Sequence, residues 1–196
     1  MNMMKKILAY LVGDLIAGLA LTAILASGAI AHAEPVSDPA ESWFAAARLG
    51  RVDILSALID AQFPIDATTK EGYSALVLSA YNHQPAALNL LIEHGANACL
   101  ADKRGNTALM GALFKGDNDI AQVLAGAPCD INQVNNAGET AVSFATLFGR
   151  YDMLAVLKAH GADLNHRDAQ GRTPLALASE QRNESAVQAL TKLGAE

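Results

Sequence analysis

Aromatic residues make up only 5% of this 196-residue chain, and it has just two cysteines. Scarce aromatics beside abundant Ala and Leu disfavour a sheet-rich fold and favour helices. No Cys-x-x-Cys or His-x-x-x-His spacing occurs, which removes the common zinc frameworks. Nothing resembles a nucleophile elbow, a phosphate-cradling loop or a supported pair of carboxylates. Gly126-Ala127-Pro128-Cys129 has no His placed to activate its thiol. The chain therefore reads as a non-enzyme, with no catalytic, cofactor-binding or metal-binding residue to name. Basic residues are also in the minority, 14 Lys and Arg against 20 Asp and Glu, a net charge of -6. Such a body has no electrostatic reason to seek nucleic acid or an anionic membrane. On net charge alone, a charged partner would be basic.

What is present begins with a greasy N-terminus. Lys5 and Lys6 precede a stretch from Ile7 to Ile30 that is almost wholly apolar or small, followed by Ala31-His32-Ala33 and then Glu34-Pro35. A charged start, an apolar middle and a small-x-small ending are the three parts of a secretory signal, with cleavage expected between Ala33 and Glu34. Losing residues 1–33 removes Lys5, Lys6 and Asp14 and moves the net charge from -6 to -7. The alternative is an uncleaved anchor over 7–30, long enough for the roughly 20 residues a span needs. Asp14 counts against it, because a mid-span carboxylate costs about 3 kcal/mol on insertion scales. No cysteine follows the cleavage site, which disfavours a lipoprotein. Residues 34–38 read as a flexible leader.

Self-similarity dominates the rest. Gly72, Gly105, Gly138 and Gly171 are spaced by 33 residues, and each is followed by the same kind of text, YSALVLSA, NTALMGAL, ETAVSFAT and RTPLALAS. One period upstream, Pro39 precedes AESWFAAA, with Trp43 in the place of Leu76, Leu109, Val142 and Leu175. The period divides the chain into repeats over about 39–71, 72–104, 105–137, 138–170 and 171–196. Ala46, Ser79, Ala112, Ala145 and Ala178 share a position where small size permits close helix approach. Leu58, Leu91, Leu124, Leu157 and Leu190 share another and should form an apolar spine. One helix pair cannot bury such a face alone, so stacking must supply the core.

The period and the phrases Arg172-Thr173-Pro174-Leu175 and Gly95-Ala96-Asn97 resemble the ankyrin-repeat family. The resemblance covers essentially all of 39–196. It implies an all-α solenoid of five stacked helix pairs joined by hairpin turns. Each opening Gly should take positive φ, Asp102, Asn135 and Asp168 should brace the turns, and Thr107, Thr140 and Thr173 should open the first helices. Three departures stand out. The family's His after Leu is replaced by Phe44, Val77, Met110, Ser143 and Ala176. The interhelix glycine kept as Gly50, Gly116 and Gly149 becomes His83 and Arg182, where strain is expected. Pro128 stands where Gly95 and Gly161 do and cannot take positive φ, so the third repeat's second helix should end early, at Gly126.

Cys99 and Cys129 are 30 residues apart, off the period. Equivalent atoms of stacked repeats lie about 10 Å apart, beyond the ~7 Å Cα limit for a bridge. Two free thiols are expected, with Cys129 buried. His94 and His160 share a repeat position but lie two repeats, about 20 Å, apart. Each is read as complementing a helix C-terminus.

The resemblance also implies function by protein binding. Its concave face should present the residue after each opening Gly and the ninth and tenth beyond it. These are Arg48 and Leu49; Tyr73, Tyr81 and Asn82; Asn106, Phe114 and Lys115; Glu139, Leu147 and Phe148; Arg172, Glu180 and Gln181. The expected partner-binding residues are Tyr73, Tyr81, Asn82, Phe114, Lys115 and Phe148, with Lys103 and Arg104 as a cationic spot at a turn tip. The competing use for the ninth and tenth positions is packing against the next repeat, above all at Leu147. The whole then reads as a monomeric, exported module, periplasmic in destination, that binds a protein and carries no effector of its own. An accessory or stabilising factor for an envelope enzyme is the leading form. A membrane-tethered scaffold and a secreted effector are the alternatives.

Overall fold

The computed structural model describes residues 38–196, so the signal segment, its cleavage site and nearly all of the leader lie outside the described residues. Among the described residues ten helices follow in order: α1 Pro39–Leu49, α2 Val52–Asp60, α3 Ala75–Tyr81, α4 Pro85–Glu93, α5 Ala108–Lys115, α6 Asn118–Ala125, α7 Ala141–Leu147, α8 Tyr151–Ala159, α9 Pro174–Glu180 and α10 Glu184–Lys192. They form five helix pairs. The odd-numbered helices stack in one layer, and the even-numbered ones in a second, except that α4 and α6 barely meet.

Local chemistry explains where the helices start. Ser74, Thr107, Thr140 and Thr173 each accept a hydrogen bond from the backbone N–H three residues on, satisfying an orphan amide of the first turn. The small shared position is closed to solvent at Ala46, Ser79, Ala112, Ala145 and Ala178, and the spine from Leu58 to Leu190 is likewise buried. At Ser79 the hydroxyl donates to the Ala75 carbonyl and to Ala47 of the preceding repeat, so a polar residue is tolerated there. Trp43 is fully buried against Phe63 and fills the first repeat with aromatic bulk, but its indole Nε1 finds no hydrogen-bond partner among the described residues.

The turn tips are braced as the sequence suggested. Oδ1 of Asp102 accepts from the N–H groups of Arg104 and Asn106, Asn135 does the same for Ala137 and Glu139, and Asp168 for Gln170 and Arg172. Thr69, with a hydroxyl in place of a carboxylate, does it for Glu71 and Tyr73. Successive tips are joined by one backbone bond each, Lys103 N–H to Glu71, Asn136 N–H to Arg104 and Ala169 N–H to Ala137. That close approach is why glycine opens the hairpins: a Cβ on Gly138 would lie 2.6 Å from the Ala169 nitrogen.

A second line of stitches runs through the interhelix loops, at one position per repeat. Gln84 lies over Gly50, Asp117 bonds Nδ1 of His83 at 2.7 Å, Arg150 Nε donates to the Leu113 carbonyl, and Asn183 donates to the Tyr151 hydroxyl. His83 and Arg182 take the left-handed conformation of the glycines they replace, with φ of 54° and 55°. The loop geometry is kept and the strain is borne.

The third repeat departs where Pro128 predicts. Its second helix, α6, stops at Ala125 with Gly126 as an ordinary right-handed cap. Elsewhere the helix closes by a bond spanning five residues, Phe63 N–H to Leu58, Ala96 to Leu91, Ala162 to Leu157 and Ala195 to Leu190. In the third repeat, Ala127 N–H turns back to Leu124 and Cys129 N–H to Ala127.

The expectation of two free thiols is wrong. Cys99 and Cys129 form a disulfide with their Cα atoms 5.3 Å apart, and Cys129 is half-buried rather than buried. The error was to use the spacing of equivalent positions. Cys129 sits three positions earlier in its repeat than Cys99 does in its own, and that offset brings the helix-ending loop of the third repeat over the tail of the second. Register also explains why cysteine is there. Asp66, Asn132 and Asn165 hold the position of Cys99 in other repeats, and each accepts from a backbone N–H of the next repeat, those of Asn97, Asp163 and Glu196. Cys99 has no such acceptor to offer Asp130, and the covalent bond joins the repeats instead.

A candidate partner-binding groove

The inner helices and turn tips of repeats two to four enclose an open groove of about 550 Å³. Its wall is an aromatic ladder. Tyr73 and Tyr81 lie edge to face with ring centroids 6.2 Å apart, Tyr81 and Phe114 6.4 Å, and Phe114 and Phe148 4.9 Å. Phe144 continues from Phe148 at 5.6 Å. Offset and edge-on pairs of this kind each add to the area they bury. Phe114 and Phe148 nevertheless remain 46% and 36% exposed. The two uses weighed for these positions are thus combined: the rings pack on one another across the repeats and still present open faces.

Of the expected binding residues, Tyr73, Tyr81, Phe114, Phe148 and Arg104 line the groove. Asn82, Lys115 and Lys103 do not. Asn82 turns its amide back to the Leu78 carbonyl, Lys115 ends α5, and Lys103 is engaged through its backbone with neighbouring tips. Arg172 at the far end is held by Asp168 at 2.7 Å and by Glu180 at 3.5 Å. Phe144, Asn136 and Ala137 complete the wall without a place in the sequence reading, and Asn135, expected only to brace its turn, joins them. Phe144 occupies the core position of Leu78 and Leu177 and is 8% exposed, so its neighbours in the period mask its second role.

Gly111, at that same position, carries no side chain, and the Tyr81 ring takes the space. A Cβ on Gly111 would lie 2.6 Å from Tyr81 Cε2. A glycine inside an otherwise apolar helical pattern was the available signal. Burial raises the Tyr81 phenol above its ordinary pKa, with the Asp102 charge adding to it and Arg104 opposing.

The groove's polar floor is largely self-satisfied. Asn135 Nδ2 donates to Asn106 at 3.1 Å and to Glu139 at 2.9 Å, and Asn106 Nδ2 donates to Asp102 at 3.3 Å. His94, away from the groove, caps its own helix through Nδ1 to the Leu90 carbonyl. Among the described residues no group of three or more His, Cys, Asp or Glu is arranged to hold a metal ion, and no helix is long and apolar enough to cross a membrane.

A family model described as ankyrin repeats (3 copies) matches residues 43–135 and 112–196. The chain belongs to the ankyrin-repeat family. The repeats make it a protein–protein interaction module by type, and proteins of this family are typically non-enzymatic.

Proposed function

We propose that this ankyrin-repeat protein is exported, loses residues 1–33, and works in the periplasm by holding a partner protein in the groove of repeats two to four. The reading extends to an accessory or stabilising role for an envelope enzyme. The observation that carries it is the partly exposed aromatic ladder, which gathers five of the chain's ten aromatic side chains on one face. Aromatic anchors ringed by polar groups have the make-up of a binding hot spot. Export has separate support from the Cys99–Cys129 bridge, because disulfides persist in oxidising compartments and are rare in the cytosol.

Two measurements test this. N-terminal sequencing of the protein from the exported fraction should begin at Glu34, whereas an intact 1–33 segment in washed membranes would replace the soluble reading with a tethered scaffold. Affinity capture from that fraction should recover a partner that Phe114→Ala and Phe148→Ala proteins, checked for folding, fail to retain. A partner retained equally by both variants would move the binding surface elsewhere.

A further inference from the structure

We infer that the groove's occupant is an extended segment of another protein, with an acidic side chain set between apolar ones and its carboxylate seated on Arg104. This rests on the groove being the binding surface and adds the chemistry of what fills it.

Two geometric facts favour an extended apolar segment. Successive ring centroids along the ladder are 6.2, 6.4 and 4.9 Å apart. A strand rises about 3.3 Å per residue, so side chains on one of its faces repeat every ~6.6 Å, close to the first two steps. The open faces of Phe114 and Phe148 offer apolar contact and no hydrogen bonds, so the side chains over them should be apolar.

The charge argument is local and runs against the net charge. The groove holds one cation and one carboxylate, Arg104 and Glu139. Glu139 is tied to Asn135, and among the described residues the ion pairs are made by Arg51, His83 and Arg172, with none at Arg104. Lys103 beside it also forms no ion pair. The Asp102 carboxylate, nearest in sequence, spends Oδ1 on two backbone N–H groups and faces Asn106 with Oδ2. Arg104 is exposed, lies at the turn tip between the second and third repeats and lines the groove together with Tyr81. A guanidinium with its donors free, beside aromatic faces, is suited to a carboxylate approached in a partly apolar setting.

The test uses the purified, oxidised protein and a phage-displayed library of random linear peptides. Enriched peptides should carry Asp or Glu flanked two residues away by Phe, Tyr, Leu, Ile or Val. For a synthetic peptide from the selection, replacing that Asp or Glu by its amide should weaken binding about tenfold. Arg104→Gln should remove the difference between acid and amide peptides, while Phe114→Ala should weaken both alike. The urea midpoint of each variant shows that it is folded. Peptides that need Phe114 but show no acidic preference, or an acidic preference that persists in Arg104→Gln, overturn the inference and leave the groove reading standing. Peptides indifferent to both Phe114→Ala and Phe148→Ala overturn both. So does a selection that enriches nothing, unless sedimentation shows a dimer abolished by Phe114→Ala. In that case a second copy of the chain is the occupant, and only the acidic-segment inference falls.

Discussion

Removing the disulfide should destabilise one joint of the solenoid more than its size suggests. The bridge closes a loop over a sequence separation of 30. The chain-entropy relation assigns such a loop about 3.6 kcal/mol at 25 °C. For a domain of this size that corresponds to a fall in Tm of roughly 10 °C. Beyond the inner helices, the turn-tip bonds, the His83–Asp117 contact and the Gln133–Cys99 carbonyl bond, the joint has little to lean on. Between repeats two and three the outer helices α4 and α6 barely meet, the five-residue closing bond of α6 is missing, and no side chain at position 99 accepts the next repeat's N–H.

The register argument makes a finer prediction. Cys99→Asn with Cys129→Ala recreates the pattern seen at Asn132 and Ala162, where the Asn accepts from Asp163 N–H at 2.8 Å. It should be more stable than Cys99→Ala with Cys129→Ala by about 1 kcal/mol, one hydrogen bond's worth. Urea unfolding of the three proteins, and of the wild type with and without reductant, measures both differences. Hydrogen exchange on the reduced wild type should show amides of 121–130 opening before those of 153–162. A reduced protein within about 1 kcal/mol of the oxidised one, or an Asn variant no better than the Ala variant, would refute the account of this joint.

Other outcomes follow from particular contacts. Phe114→Ala should lower stability by roughly 2 kcal/mol, about half the loss expected of a fully buried Phe because the ring is half open, as read by its urea midpoint. Gly111→Ala should leave stability nearly unchanged, since a gain in helix propensity of about 1 kcal/mol offsets displacement of the Tyr81 ring, yet it should weaken binding in the groove; unchanged affinity would separate Tyr81 from the site. Trp43→Phe should cost under about 1 kcal/mol despite the lost volume, because it also deletes a buried N–H without a partner, and a loss above about 3 kcal/mol would show that packing alone sets the value there. For Asp168, burial opposes ionisation, but Arg172 and the N–H groups of Arg172 and Gln170 hold its carboxyl below the usual value. Its contribution is therefore present above the unfolded-state carboxyl pKa and lost as pH falls through the lower folded one. Arg172→Ala should flatten the acid limb of the stability–pH curve, and an unaltered limb would discount the pair.

What could be read from the sequence was whatever the period repeats. The hydroxyl caps, the side-chain acceptors bracing the turns, the small inner position and the leucine spine recur because each repeat solves the same packing problem. Comparing columns therefore reveals them. Pro128 was legible by the same comparison, since one residue incompatible with positive φ stands in a column that reads Gly95, Gly161 and Gly194 in other repeats. The disulfide was not, because it joins different columns, and a rule built on equivalent atoms cannot see an offset pair. Its trace was present in another form: Cys99 is the one non-acceptor in a column that otherwise reads Asp66, Asn132 and Asn165. The groove was half legible. Tyr73, Tyr81, Phe114 and Phe148 sit in the expected columns, but Phe144 sits in a core column, and the gap that seats Tyr81 comes from a missing side chain at Gly111. Asn82 shares a column with Phe148 and still turns its amide back to Leu78, and Lys115, in the same column, is not among the residues that line the groove, because a column sets backbone place and not side-chain engagement.

The weak joint and the groove concern the same pair of repeats. Tyr73 and Tyr81 belong to repeat two and Phe114 to repeat three, so the 6.4 Å step between Tyr81 and Phe114 crosses the joint that the disulfide spans. Inner helices α3 and α5 pack well there, while the outer side depends on the bridge. A stack fastened at the inner layer and open at the outer one has a hinge beneath its binding face. With Pro128 removing one closing bond and Cys99 removing another, a chain kept reduced would hold this joint by the inner helices, the turn-tip bonds, the His83–Asp117 contact and the Gln133 donation to the Cys99 carbonyl. The same residues are well chosen for a chain that meets an oxidising compartment, where the bridge restores on the outer side what the two substitutions take away. On the proposed route of export, formation of the disulfide would then close the outer side of the joint, while the packed inner helices hold the spacing of the aromatic ladder.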